Sequence, residues 1–411
     1  MKYYLFFFLY VMNFALWSQG EPNKSRNISE IENSKSPSSN SLHYNSINNT
    51  AAPSEVEFDK TNQLEDSLQI NQESLRVKRN QEKKDLKDQT SATQAAQIKS
   101  THATFNSVRK KAKNQSTQRS PNEDQQIQLD QLSQQLMSID STSFEAKLSF
   151  YEAGNYDTKR ASFLKEAEKV LPKHSDVLKY NVANSLIEQD TMRSIAYLNN
   201  LVSQEILTPE IQSYGEDMLQ SACGNSTLVT HGFIDTYGAT FKQLNGGSSC
   251  EVNNLTIVSL DFLQSKEYRQ VLRQKGYELP VSEKIDIAYL KDFCEKNEGK
   301  NIALSMTIPR PYLEPLVPKL FPIGIVFEYR SKAESSYEEV ELCWNQKLNK
   351  KNIRGYNSPT SNSLSSNYLP SMILLMNYYR DTGQGKKEKE MELEIEFVKQ
   401  KAGLSQKKKG N

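Results

Sequence analysis

Beyond Trp17 the chain has no apolar run near the roughly 18–20 residues that a bilayer-spanning helix needs. It also lacks an excess of either charge. Its 51 basic and 50 acidic side chains give a formal net charge of +1, so no global field favours nucleic acid or anionic membranes. Cysteine is scarce, with four in 411 residues; none forms a Cys-x-x-Cys pair and no His/Cys cluster has metal-ligand spacing. His43, His102 and His174 are dispersed, which leaves a nucleophilic triad without support. There is no GxGxxG behind a strand, no GxxxxGK[ST], no HExxH and no GxSxG. No cofactor and no metal site are therefore expected.

What is present begins with Met1-Lys2 followed by YYLFFFLYVMNFALW, with small Ser18 and Gly20 at the −3 and −1 positions before Glu21. This is the pattern of a secretory signal peptide over residues 1–20. It predicts an exported chain, periplasmic or extracellular, with no integral membrane segment after cleavage. In that setting Cys223, Cys250, Cys294 and Cys343 permit two disulfides in three connectivities, or stay as buried thiols. Residues 21–140 are dominated by Ser, Asn, Gln, Lys and Glu, with Tyr44, Phe58 and Phe105 as the aromatics. That composition predicts a disordered linker, because it buries too little apolar surface to offset ordering entropy. Ile127, Leu132, Leu136 and Ile139 approach helical spacing and predict a helix starting near its end. Arg76-Val77-Lys78-Arg79 offers a secretory processing protease a basic site within it.

From 141 to 223 the pattern turns helical. Leu164, Ala167 and Pro172 carry the L-x2-A-x4-P spacing of the second half of a tetratricopeptide repeat, and Gly154-Asn155-Tyr156 suits the turn before it. A step of 34 residues leads to Leu198 and Leu201 with the apolar phase kept. Two degenerate units are expected, with a helix around 209–222 capping them.

Four short apolar runs mark residues 224–335: TLVTH, LTIVSL, IALSMT and GIVFEY. Helical patterns lie between them, and Asp261-Phe262-Leu263-Gln264 has the form of a capping box. Together they predict an α/β domain with a mostly parallel, Rossmann-like sheet flanked by tetratricopeptide-like helical hairpins. Alternation in Ile323, Ile325, Phe327 and Tyr329 predicts that the last run is an edge strand exposed on one side. Five prolines from Pro309 to Pro322 argue against regular structure in between. Residues 336–411 read as a polar loop and a closing helical pair, with Tyr368, Met372, Leu375, Met376 and Tyr379 on one stripe and Met391, Ile395 and Val398 on the other.

Thr230, Gly232, Asp235, Thr236 and Tyr237 resemble the strand-to-helix turn of the soluble C-terminal region of bacterial membrane protein O-mannosyltransferase-like proteins. Leu255 to Leu263 resembles that family's second strand, Tyr268-Arg269-Gln270-Val271-Leu272 with Gly276-Tyr277-Glu278-Leu279-Pro280 its helix and exit, and Pro322 to Phe327 its last strand. His231 and Phe233-Ile234 depart from the family's Asn and Asp-Asn. The resemblance implies an α/β fold and a cell-envelope location, and a glycan or nucleotide-sugar as a ligand class.

Open α/β sheets bind ligands beyond the carboxyl ends of their strands. Those ends make His231, Asp235, Thr236, Tyr237 and Arg310 the candidate ligand-binding residues, with Ser259, Asp261 and Thr307 beside them. In a chemical reading His231 and Asp235 form an acid–base or orienting pair and Arg310 holds an anion. In a structural reading the two acids cap helices, His231 sits in a turn and Tyr237 joins the core. The function expected is a non-catalytic protein–protein interaction or scaffold protein of the cell envelope. The alternative is a sugar or nucleotide-sugar binding module at the strand ends.

Overall fold

The computed structural model describes residues 62–113, 117–246, 254–330 and 336–405. The signal segment, residues 21–61 and Cys250 lie outside the described residues. The chain divides into two compact units, and the described part of the smaller, Glu21–Ala96, is the first stretch of helix α1 (Asn62–Lys113). Arg76, Val77, Lys78 and Arg79 are helical and exposed there.

In the larger unit the segment expected to be disordered is partly helical. The end of α1 and helix α2 (Glu123–Ile139) bury Phe105, Val108 and Leu129, grouped with Ala153, and α2 also buries Leu136. Sparse apolar residues three and four apart make a stripe that average composition conceals. Asn122 caps α2 in a reciprocal box with Gln125. The stripe on α2 faces Leu129, Ser133 and Leu136, while Ile127 stays half exposed.

Four helices follow: α3 (Phe144–Ala153), α4 (Ala161–Val170), α5 (Ser175–Ile187) and α6 (Thr191–Ser203). They pack in consecutive pairs, and Leu164, Ala167, Leu198 and Leu201 are all fully buried. Helix α7 (Pro209–Ser221) comes next and packs against α8 (Gly232–Leu244). Between α7 and α8 there is no room for a side chain. A Cβ on Gly215 would stand 2.2 Å from the Gly238 carbonyl carbon, and one on Gly238 would stand 2.7 Å from the Ile211 carbonyl oxygen.

The sheet contains β1 (Thr227–Thr230), β2 (Thr256–Ser259), β3 (Ile302–Ser305), β4 (Leu320–Ile323) and β5 (Val326–Tyr329) in the order β2-β1-β3-β5-β4. Helices α9 (Lys266–Gln274) and α10 (Ile287–Lys296) lie in the chain between β2 and β3. The pairs β1–β2 and β1–β3 are parallel, whereas β3–β5 and β4–β5 are antiparallel. The sheet is thus mixed, not mostly parallel. Its cause is the hairpin β4–β5, in which Gly324 takes the left-handed conformation. The expected edge strand is internal, for β5 is bonded on both sides. The edge is β4, and it carries Pro322, which is tolerated where one side of the ladder is unpaired.

Both faces of the sheet are covered. Val229, Ile302, Leu304 and Phe327 join a core with α3–α6, while Leu228, Ala303 and Val326 join one with α7 and the C-terminal helices. Those helices are α11 (Tyr337–Leu342), α12 (Pro359–Ser365), α13 (Leu369–Asp381) and α14 (Gly385–Lys401), with α13 and α14 packed together. The stripes read from the sequence are buried at Met372, Leu375 and Tyr379 on α13 and at Met391, Ile395 and Val398 on α14, while Met376 is half-buried. Asp217 on α7 fastens this layer. Its carboxylate accepts from the backbone N–H groups of Asn349 (2.7 Å) and Lys350 (3.0 Å) and from the Tyr368 hydroxyl (2.5 Å). Cys223, Cys294 and Cys343 are free thiols, so none of these three forms a bridge with another.

Replacing Gly215 by Ala inserts a methyl group into the backbone contact between α7 and α8. The expected loss is about 2–4 kcal/mol of unfolding free energy. Urea denaturation of the purified variant measures it, and an unchanged midpoint would show that the helices part easily.

Candidate functional site

Because β1, β2 and β3 are parallel, their carboxyl ends share one side of the sheet, and the residues after them meet there. Asp235, on the first turn of α8, is fully buried. Its carboxylate accepts hydrogen bonds from the backbone N–H groups of His231 and Thr236 (3.0 Å) and from the Thr307 hydroxyl (2.6 Å). It closes the turn after β1 and ties it to the end of β3. Burial pushes this carboxyl up to about 7, against the pull of those hydrogen bonds.

His231 meets Asp235 through its main chain, not its ring. The imidazole Nε2 is buried without a hydrogen-bond partner. Burial, then the nearby Arg119 charge, lowers the ring to about 3, with Asp261 opposing, so the imidazole is neutral near pH 7. The acid–base pair of the chemical reading is therefore not assembled. Arg310 pairs with Glu314 at 2.8 Å, and among the described residues no hydrogen bond or ion pair joins it to His231 or Asp235. Tyr237 is a core residue: its hydroxyl donates to the Lys179 carbonyl at 2.7 Å and its ring contacts Phe233 and Phe262. Thr236 is held with Thr230 (2.9 Å) and Ser259 (3.3 Å) through their hydroxyls.

The capping box expected at Asp261 is also absent. Asp261 makes no side-chain cap bond; Gln264 donates to its carbonyl oxygen at 3.0 Å, and Ser265 caps α9 instead, accepting from the Tyr268 N–H. The Asp261 carboxylate is bound by Arg119, which donates from Nε at 3.0 Å and Nη2 at 2.6 Å. Burial alone would raise this carboxyl, but Arg119, with His231 and Lys113, holds it below the ordinary carboxylate range. Arg119 is fixed in turn. Its backbone N–H donates to the Ile285 carbonyl at 2.9 Å, and Gln118 pairs with Asp286 as an isolated bridge. Residues 117–121 thus form a strap at the strand ends. A second buried ion pair, Arg109–Glu152, fastens α1 to α3, and the Tyr180 hydroxyl donates to the same carboxylate at 2.7 Å.

Chemically, the strand ends are already occupied. Asp261 is neutralised, Asp235 is supplied with donors, and His231 is enclosed. Among the described residues no group of three or more His, Cys, Asp or Glu could hold a metal ion. Beside β2, separate from these groups, lies a cleft of about 500 Å³ lined by α8, α9, β2 and the turn between α5 and α6; Thr236 and Ser259 reach it from the candidate set. Sequence reasoning missed Arg119, which stands 142 residues from its partner inside a segment of polar composition. No family model, curated protein or solved structure matches the chain.

His231 carries a pH prediction. Its folded value lies below the unfolded value of about 6.5, so the unfolded chain takes up a proton that the folded chain refuses. Its contribution to stability is complete above that unfolded value and is lost as pH falls from about 6.5 towards 3. Asp235 acts in the opposite sense over part of that range, so the comparison is between variants. His231→Gln should lose less stability than the wild type between pH 7 and pH 4, read from urea unfolding; parallel losses would place the wild-type ring in solvent.

Proposed function

We propose that the chain is an exported protein-interaction module of the cell envelope, in which the sheet is a keystone and the flanking helices carry the partner surface. The observation that carries this reading is the use of the strand-end groups by the chain itself, Asp261 by Arg119 and Asp235 by Thr307 and two backbone amides. A ligand entering there would have to displace a partly buried, doubly bonded guanidinium, and leaving Asp261 without it would cost a few kcal/mol at most, about 3 as the upper end for a pair still in reach of solvent.

The helical layer is read as tetratricopeptide-like. Support comes from the pairing of α3 with α4 and α5 with α6, and from the buried Leu164, Ala167, Leu198 and Leu201 at the repeat spacing. The β2-β1-β3 portion is read as Rossmann-like on the strength of its parallel pairing. Helical repeats bind through extended surfaces rather than enclosed pockets. On this layer Leu171 is 45% and Met192 79% exposed, both unusual for large apolar side chains in water.

Affinity recovery from native envelopes tests the reading. His231→Ala is expected to recover the same partner as the wild type. Leu171→Glu combined with Met192→Glu should reduce recovery at least tenfold while thermal stability stays within a few degrees. Loss of the partner in His231→Ala alone, with the charged pair silent, would move the interaction to the strand ends.

A further inference from the structure

The cleft beside β2 has a lining unlike the strand ends. Gln189 and Thr191 come from the α5–α6 turn, Thr240 and Gln243 from α8, and Asn254 and Thr256 from the edge strand and its approach. These are hydroxyls and amides, groups that both donate and accept. Among the described residues Lys275 is the one lining residue with a formal charge, and no His, Cys, Asp or Glu lines the space. A phosphate or nucleotide ligand is ordinarily held by several cationic or backbone donors, and a metal by carboxylate, imidazole or thiolate, so this lining selects against all three. Leu244, Ile257 and Leu272 add an apolar share to the lining.

β2 is an edge strand, which would ordinarily invite an extended peptide to pair with it. Here that edge is closed by side chains. The Leu255 carbonyl accepts from Gln243 Nε2 at 2.7 Å and the Ile257 carbonyl from the Tyr268 hydroxyl at 3.1 Å. The Ser259 N–H in turn donates to that same hydroxyl at 3.2 Å. One phenol therefore serves as donor to one backbone group and acceptor from the other. Without main-chain pairing, an occupant is read by side chains alone.

We propose that this cleft binds a neutral polyhydroxylated ligand, an oligosaccharide of a few rings. Sugar hydroxyls match groups that donate and accept, and the C–H faces of the rings match the apolar residues of the lining. A volume of about 500 Å³ falls in the range of small-molecule sites. The cleft is bordered by Thr236 and Ser259 at the strand ends and by Gln189 and Thr191 of the helical layer, but the substitutions that test it, at Thr256 and Gln189, differ from those at Leu171 and Met192, so the two readings fail separately.

The test titrates the mature full chain with neutral trisaccharides (maltotriose, mannotriose, cellotriose and triacetylchitotriose), with UDP-glucose and with a neutral heptapeptide. Calorimetry and thermal shift are the readouts. At least one trisaccharide is expected to bind at submillimolar concentration. Thr256→Trp, which fills the cleft, and Gln189→Ala, at an exposed position, should each weaken it at least tenfold. Both variants are first checked for wild-type circular dichroism. Absence of binding across the four trisaccharides overturns the proposal, as does binding indifferent to both substitutions. Preference for UDP-glucose over every trisaccharide, or for the peptide, overturns it equally.

Discussion

The meeting of α7 with α8 at Gly215 and Gly238 is the constraint on which the rest of the structure depends. Backbone rests on backbone there, so α7 lies as close to the α/β layer as an α-helix can. Being that close, it is buried almost all round: Ile211, Tyr214, Met218 and Leu219 pack inward, and Asp217 points to the C-terminal layer. An ionisable group in such a place is costly unless fully bonded. Asp217 receives two backbone amides and a phenol, and burial still pushes it up to about 6. The reward is positional. One helix fixes the sheet on one side and the segment from Asn349 to Tyr368 on the other, so the three layers hold one register.

The same economy governs the strand ends. In an open α/β sheet that region is normally left for a ligand. Here the chain returns through residues 117–121 and places a guanidinium on Asp261, while Asp235 binds β1 to β3 from beneath. The consequences are electrostatic. Asp261 is kept ionised by Arg119, and His231, half-buried beside that cation with its Nε2 shielded from water, is kept neutral. His231 and Asp235, the pair read from the sequence, meet through the His231 main-chain N–H, while the imidazole Nε2 is left without a hydrogen-bond partner. The cleft along β2, lined by hydroxyls and amides with Lys275, has chemistry of another kind.

How much of this could be read from residues alone follows from the range of each signal. Four strands stood out because continuous apolar runs bounded by turns are local features, and Leu164, Ala167, Leu198 and Leu201 because a period is visible without a partner. The strand β4 was hidden by its own Pro322, which signals a break unless the strand is known to be an edge. The internal place of β5 was lost with it. Helix α1 was hidden because few apolar residues suffice when they share a stripe, here Phe105 and Val108, whereas α2 was signalled by the spacing of Leu132 and Leu136. Arg119 had no local signal at all. A lone arginine in a polar stretch acquires meaning only when folding brings it to an aspartate far along the chain, and that aspartate had a nearer explanation as a helix cap.

The central claim is that Arg119 fills the strand-end site as a structural partner of Asp261. A double-mutant cycle with Arg119→Met and Asp261→Asn, read by urea unfolding at pH 7, tests it most directly. The account predicts that each single change costs about 3 kcal/mol and that the double change costs clearly less than their sum, a coupling of roughly 2 kcal/mol. Additive effects, or single changes costing under about 0.5 kcal/mol, would contradict it and return the strand ends to the role of an open site.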